Sequence, residues 1–124
     1  SIKEIKVGGS ISRIGKKIDE IANNNYFSVV KDFCGHGVGK NFHESPSILH
    51  YYDPEYDNIK FIDGMIFTVE PMINSGKYHS KILTDGWTAV TKDKTLSAQY
   101  EHTIYINGDN IEILTNSPKG IFYN

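Results

Sequence analysis

His36 and His43 lie in the run Cys34-Gly35-His36-Gly37-Val38-Gly39-Lys40-Asn41-Phe42-His43-Glu44-Ser45-Pro46, with three glycines around the first histidine. Glycine has no Cβ, so backbone or ligand can approach closely there. A neutral imidazole beside such an opening has the reach for a metal or a substrate carbonyl. Two later stretches, Thr68-Val69-Glu70-Pro71-Met72 and Ala98-Gln99-Tyr100-Glu101-His102-Thr103, each set one glutamate inside a run that otherwise reads as a strand. A buried carboxylate is costly unless it is paired or bound to metal. His36, Glu70 and Glu101 together make a donor set for a divalent ion. Plainer readings stand beside this one. A Gly-His-Gly turn is also a tight strand end with a structural histidine. Glu70 also fits an edge strand facing water, and His43 a surface loop. Glu101 is the hardest to dismiss, because carboxylates in central strands are rarely idle. His102 points to the opposite face and reads as structural; His50 and His79 fall in loops and receive no role. Phe42 and Trp87 are core aromatics or walls of an apolar pocket. Cys34 reads as a small buried hydrophobe, since no third group is in view to orient a Cys–His pair.

These residues need elements to hold them. Ser1 to Val7 reads as the tail of a helix, broken by Gly8-Gly9. Ser10 caps a helix in which Ile11, Ile14, Ile18, Ile21 and Ala22 form one apolar stripe, ended by Asn23-Asn24-Asn25. Phe27 to Cys34 is β-branched and aromatic enough for a strand, which sets His36 at or just past its end. Ser45 to Lys60 reads as loop. Met65 to Met72 is the next strand, with Ile66, Thr68 and Glu70 on one face, Met65, Phe67 and Val69 on the other, and Pro71 ending or edging it. A polar connection leads to Asp85-Gly86, and Trp87 to Thr91 is a short strand. Ser97 to Ile106 is the longest strand, with Ser97, Gln99, Glu101 and Thr103 sharing its polar face. Asn107-Gly108 turns the chain back into Ile111 to Thr115, and Pro118 onward is a tail. One helix followed by a mostly antiparallel sheet is an α+β arrangement.

The whole chain sets wider bounds. Its 124 residues make one domain with no internal repeat. A formal net charge of −2, with Arg13 the only arginine, gives no nucleic-acid or membrane signal. A single cysteine excludes an internal disulfide and suits a reducing compartment, expected to be cytoplasmic, with an organellar form as the alternative. No apolar run is long enough to span a bilayer and no signal peptide is visible. The chain opens on Ser1 without a methionine, as a fragment or a processed product would.

Taken in order, four stretches carry a resemblance. They are Gly35-His36-Gly37-Val38-Gly39 with Phe42-His43-Glu44, then Thr68-Val69-Glu70-Pro71-Met72, then Asp85-Gly86-Trp87-Thr88, then Leu96-Ser97-Ala98-Gln99-Tyr100-Glu101-His102-Thr103. Along nearly the whole chain they resemble the C-terminal half of the type 1 methionine aminopeptidases, enzymes of pita-bread fold. Proline-directed aminopeptidases and creatinase-like proteins share the histidine and the Val-Glu-Pro motif but usually follow the last glutamate with an acidic residue. Type 2 methionine aminopeptidases insert a helical subdomain between two glutamates that are joined here by a short connection.

The resemblance implies an α+β pita-bread fold with one amphipathic helix and a curved sheet. It also implies hydrolytic removal of the initiator methionine from nascent polypeptides, near the ribosome. His36, Glu70 and Glu101 match metal ligands, Glu101 the bridging one, and Glu70 also the carboxylate proposed to shuttle the proton of the nucleophilic water. His43 matches the histidine that contacts the substrate carbonyl, and Phe42 and Trp87 match walls of the methionine pocket. The intact enzymes hold two divalent ions, variously cobalt, manganese, iron or zinc. Two further aspartate ligands belong to an N-terminal half that no part of this sequence matches. Residues 1–124 are therefore expected to be the C-terminal half of a catalytic domain, holding at most one ion and inactive alone. A catalytically dead module that binds peptides or proteins, a structural domain without a site, and a proline-directed relative remain as alternatives.

Overall fold

The isoleucine stripe folds as α1 (Ser12–Asn24), which buries Ile14, Gly15, Ile18 and Ala22. Ile21 falls off the stripe and is 48 % exposed. Ser10 does not cap directly, since Ile11 holds the N-cap position. Instead the Ser10 hydroxyl accepts the Ser12 N–H at 3.2 Å, and Ser12 Oγ donates to Asp57 at 2.5 Å, which ties the helix start to a later loop. The computed structural model describes residues 1–117, so the expected tail from Pro118 onward lies outside the described residues.

Ten short strands follow α1: β1 (Ser28–Val29), β2 (Gly35–Gly37), β3 (Glu44–Ile48), β4 (Ile66–Val69), β5 (Met72–Asn74), β6 (Ser80–Ile82), β7 (Ala89–Thr91), β8 (Ser97–Gln99), β9 (His102–Asn107) and β10 (Asn110–Ile113). They form a five-stranded sheet in the order β10-β9-β4-β2-β3, a three-stranded sheet β1-β5-β8 and a hairpin β6-β7. Every pairing is antiparallel. The period of two puts Phe67 and Val69 of β4 and Ile104 and Ile106 of β9 into the core with Ile11, Ile14 and Ile18 of α1. His102 shares that buried face and its Nδ1 lies 2.9 Å from Thr115 Oγ1. Thr68, Glu70 and Thr103 are left to the other face.

Four expectations need correcting. The strand expected over Phe27 to Cys34 pairs only at Ser28–Val29. Beyond it the Asp32 carboxylate turns to Ser80, and Lys31 sits over the rings of Tyr51 and Tyr78. Pairing resumes at Gly35, so His36 is the middle of β2 rather than past a strand end. The loop expected over Ser45 to Lys60 contains β3 and a 3-10 turn at Pro54–Tyr56. Its Ser-Pro-Ser sequence is polar because β3 is an edge strand, the place where a proline is tolerated. The connection before Asp85 contains β6, and Trp87 sits in the β6–β7 turn rather than in a strand. There the Asp85 carboxylate accepts the N–H groups of Trp87 and Thr88 at 3.0 and 2.9 Å. Finally, Ser1 to Val7 holds only a 3-10 turn at Ile2–Glu4.

The two long strands, Met65 to Met72 and Ser97 to Ile106, are each broken in two. Val69 pairs with His102 on one side of the break and Met72 with Gln99 on the other. The register is the same on both sides, so the interruption sets Glu70 opposite Glu101 and Pro71 opposite Tyr100. Proline has no N–H to give to the ladder, which is why the break falls there.

The helix packs closely on the segment that follows β3. A Cβ on Gly15 would overlap the carbonyl oxygen of Tyr51 and crowd that of Leu49 at 2.9 Å. Alanine in a helix interior is favoured over glycine by about 1 kcal/mol, yet backbone carbonyls cannot step aside. Gly15→Ala is therefore expected to destabilise the fold by a net of roughly 1–3 kcal/mol, read as a lowered denaturant midpoint at unchanged slope. No helix among the described residues is long and apolar enough to cross a membrane.

Candidate metal centre

His36 and Glu70 reach the same point from neighbouring strands. β2 and β4 pair at Gly37 and Phe67, which brings His36 alongside Thr68. The Thr68 hydroxyl links the two residues: it accepts the His36 N–H at 3.0 Å and donates to Glu70 Oε1 at 2.8 Å. His36 Nδ1 lies 2.9 Å from the Gly37 carbonyl oxygen, so the ring proton sits on Nδ1 and Nε2 keeps its lone pair in the neutral ring. That Nε2 lies 3.6 Å from Glu70 Oε1, with both side chains mostly buried. Two donors about 2.0–2.2 Å from one ion stand roughly 3–3.5 Å apart at tetrahedral to octahedral angles. The pair therefore fits two arms of a divalent metal site.

Glu101 completes the expected set by register but not by side chain. It lies opposite Glu70 on the face that carries Thr68, and it is exposed. Among the described residues no group of three or more His, Cys, Asp or Glu side chains is gathered closely enough to hold a metal. The structure thus brings His36 and Glu70 together and leaves Glu101 beside them rather than converged on them.

An open cleft of about 730 Å³ surrounds the pair, lined in part by His43, Trp87, Phe33 and Met72. The His43 and His36 ring centroids are 4.2 Å apart. Phe42 is not core: it is 72 % exposed and packs its ring at 5.5 Å from His36 and edge-on to His43. Trp87 is 86 % exposed at the hairpin tip, so it too is not core, and of the two only Trp87 lines the cleft. Cys34 lines the same cleft as a free thiol.

Sequence reasoning missed two kinds of residue. Phe33 and Met72 give the cleft apolar wall, but each lies beside an interruption in strand pairing that only the fold discloses. His50, passed over as a loop histidine, is 1 % exposed, and its Nε2 accepts the Glu70 N–H at 3.1 Å. Burial pushes its pKa down to about 4. A ring so depressed is neutral at physiological pH, and it opposes folding only as pH falls from its ordinary range towards 4. The apolar run before it, Ile48-Leu49, is the signal that the histidine enters the core.

The model of metallopeptidase family M24 matches residues 1–108. A methionine aminopeptidase of Buchnera aphidicola from Acyrthosiphon pisum is 51 % identical over 115 residues, covering 93 % of this chain and 43 % of that protein. The chain thus spans less than half the length of the curated relatives it matches. The crystal structure of methionine aminopeptidase from Rickettsia prowazekii superposes with a TM-score of 0.85 at 42 % identity, covering 93 % of this chain and 48 % of that one. Prolidase from Pyrococcus furiosus shares the fold more distantly, with a TM-score of 0.59 at 24 % identity over 91 % of this chain and 27 % of its own.

Proposed function

The chain belongs to metallopeptidase family M24, and from that footing we propose that it is the C-terminal half of a methionine aminopeptidase catalytic domain. Membership of the family implies use of a divalent metal, and the fold is the α+β pita-bread arrangement the family shares. The intact enzyme removes the initiator methionine from nascent polypeptides in the cytoplasm, close to the ribosome, with two divalent ions drawn from cobalt, manganese, iron or zinc. The observation that carries this reading is the His36–Glu70 pair, 3.6 Å apart and facing one open cleft.

In that cleft His36, Glu70 and Glu101 are the residues that would hold metal. The ions supply Lewis-acid polarisation of the scissile carbonyl. Glu70 takes the proton of the attacking water and returns it to the leaving amine, its carboxylate aimed by the Thr68 hydroxyl. His43, its ring tilted against that of His36, donates to the substrate carbonyl. Phe42 and Trp87 wall the methionine side chain, with Phe33 and Met72 adding apolar surface from the cleft side.

The test is a comparison of Met-Ala and Leu-Ala peptides with the full-length enzyme that carries this chain. A change of about one methylene or branch in such a pocket is worth roughly 10–200-fold in kcat/KM, so Met-Ala is expected to be cleaved faster by at least tenfold. Equal rates would reject the pocket, and a preference for proline in the second position would reassign the chain to a proline-directed relative.

A further inference from the structure

We infer that His50 is the positioning residue for Glu70: its imidazole takes a backbone N–H that the sheet leaves unclaimed, and so aims the carboxylate at His36. The inference rests on the reading of His36 and Glu70 as metal donors.

The sheet has a gap at this point. β4 lies between β9 and β2, and Val38 N–H donates to the Ile66 carbonyl. Residues 66, 68 and 70 therefore turn their main-chain groups towards β2. At the next rung the Thr68 hydroxyl takes the His36 N–H. One rung further, the partner of Glu70 would be Cys34, but β2 begins only at Gly35. The Glu70 N–H would face an absent strand, and a partly buried main-chain donor is rarely left without a partner. His50 Nε2 occupies that place, 3.1 Å from Glu70 N. Because Pro71 has no N–H, this is the last main-chain donor before the strand breaks.

Glu70 is thereby held at three points. His50 holds its N–H, Gln99 Nε2 donates to its carbonyl at 3.2 Å, and Thr68 Oγ1 donates to its carboxylate at 2.8 Å. His50 is itself held from behind. The carbonyls of its neighbours Leu49 and Tyr51 lie against Gly15 of α1, and the Tyr52 N–H donates to Asp19 of the same helix at 2.8 Å. The contacts run without interruption from α1 through the 49–52 segment to the carboxylate. Groups that orient a metal ligand in this way typically tune affinity as well as shape.

The experiment uses the full-length protein with His50→Leu and His50→Gln. Mn²⁺ affinity is measured by calorimetry and exchange of the Glu70 amide proton by NMR. His50→Leu is expected to weaken Mn²⁺ binding roughly 10–100-fold and to speed Glu70 amide exchange. Gln carries a carbonyl oxygen at a similar reach, so His50→Gln is expected to recover most of both. Leu and Gln variants that behave alike, or a Leu variant that moves neither readout, would overturn the inference. If the Leu variant does not fold, the wild-type ring decides: a long-range nitrogen-15 spectrum should show the proton of His50 on Nδ1, and a proton on Nε2 would overturn the inference. Failure of the underlying metal reading looks different. Then His36→Ala and Glu70→Ala would leave Mn²⁺ affinity at its wild-type value, while the Glu70 amide would still report on His50.

Discussion

Expressed alone, residues 1–124 are expected to show no turnover of Met-Ala-Ser, with either manganese or cobalt added. On the reading proposed above, the intact enzyme holds two divalent ions with four carboxylates and one histidine, so four negative charges meet four positive ones. This chain offers Glu70, Glu101 and His36, which balance one ion. Glu101 is also exposed and not drawn into a three-donor group. A second ion would rest on little more than a shared Glu101 and would repel the first at the roughly 3.5–4 Å of a two-metal site. The open cleft adds a second loss. Positioning of substrate can account for about 7–11 kcal/mol of a barrier, and on the proposed reading the contacts to the amino terminus come from the other half. Supplying the N-terminal half of the parent enzyme as a separate chain is expected to restore turnover. Turnover by the isolated piece that Glu101→Ala abolishes would show instead that the missing aspartates are dispensable.

Gly35→Ala is expected to disable the centre without touching any donor. A Cβ at this position would overlap the Thr68 carbonyl oxygen and crowd the Thr68 hydroxyl at 3.1 Å. Neither atom is the free end of a flexible side chain. The main chain of β2 would have to lift from β4 by several tenths of an ångström. Thr68 is the residue that holds both the His36 N–H and the Glu70 carboxylate, so the shift separates the two donors. The expected result in the full-length protein is a stability loss of about 1–3 kcal/mol together with a fall of at least tenfold in Mn²⁺ affinity. Denaturant unfolding and calorimetric titration measure the two. A variant that melts and binds metal like the wild type would show that the close approach of β2 to β4 is not what aligns the pair.

Much of this was legible in residue order. The stripe Ile11, Ile14, Ile18 reads as a helix face because a period of 3.6 leaves little else it can do. It is buried as expected, and only Ile21 strays to the margin. The period of two in β4 alone separates Phe67 and Val69 on one face from Thr68 and Glu70 on the other. Asn107-Gly108 marked the β9–β10 turn. Polar edge segments were not legible. Ser45-Pro46-Ser47 lacks apolar alternation, since one side of β3 has no neighbour and its pairing is main-chain to main-chain.

By itself the sequence determined the α+β class, the helix face, the strand faces and the residue types that suit a divalent ion, because these follow from local periodicity and side-chain chemistry. Tertiary structure alone decided three things. It broke the two long strands at Glu70 and Glu101 while keeping one register across the gap. It set His36 within β2, where the Thr68 hydroxyl joins it to Glu70. It drew His50 out of an apparent loop to accept the Glu70 N–H. Each depends on which main-chain donor lacks a partner once strands diverge, and that is a property of neighbours far apart in the chain, invisible to any window read along it.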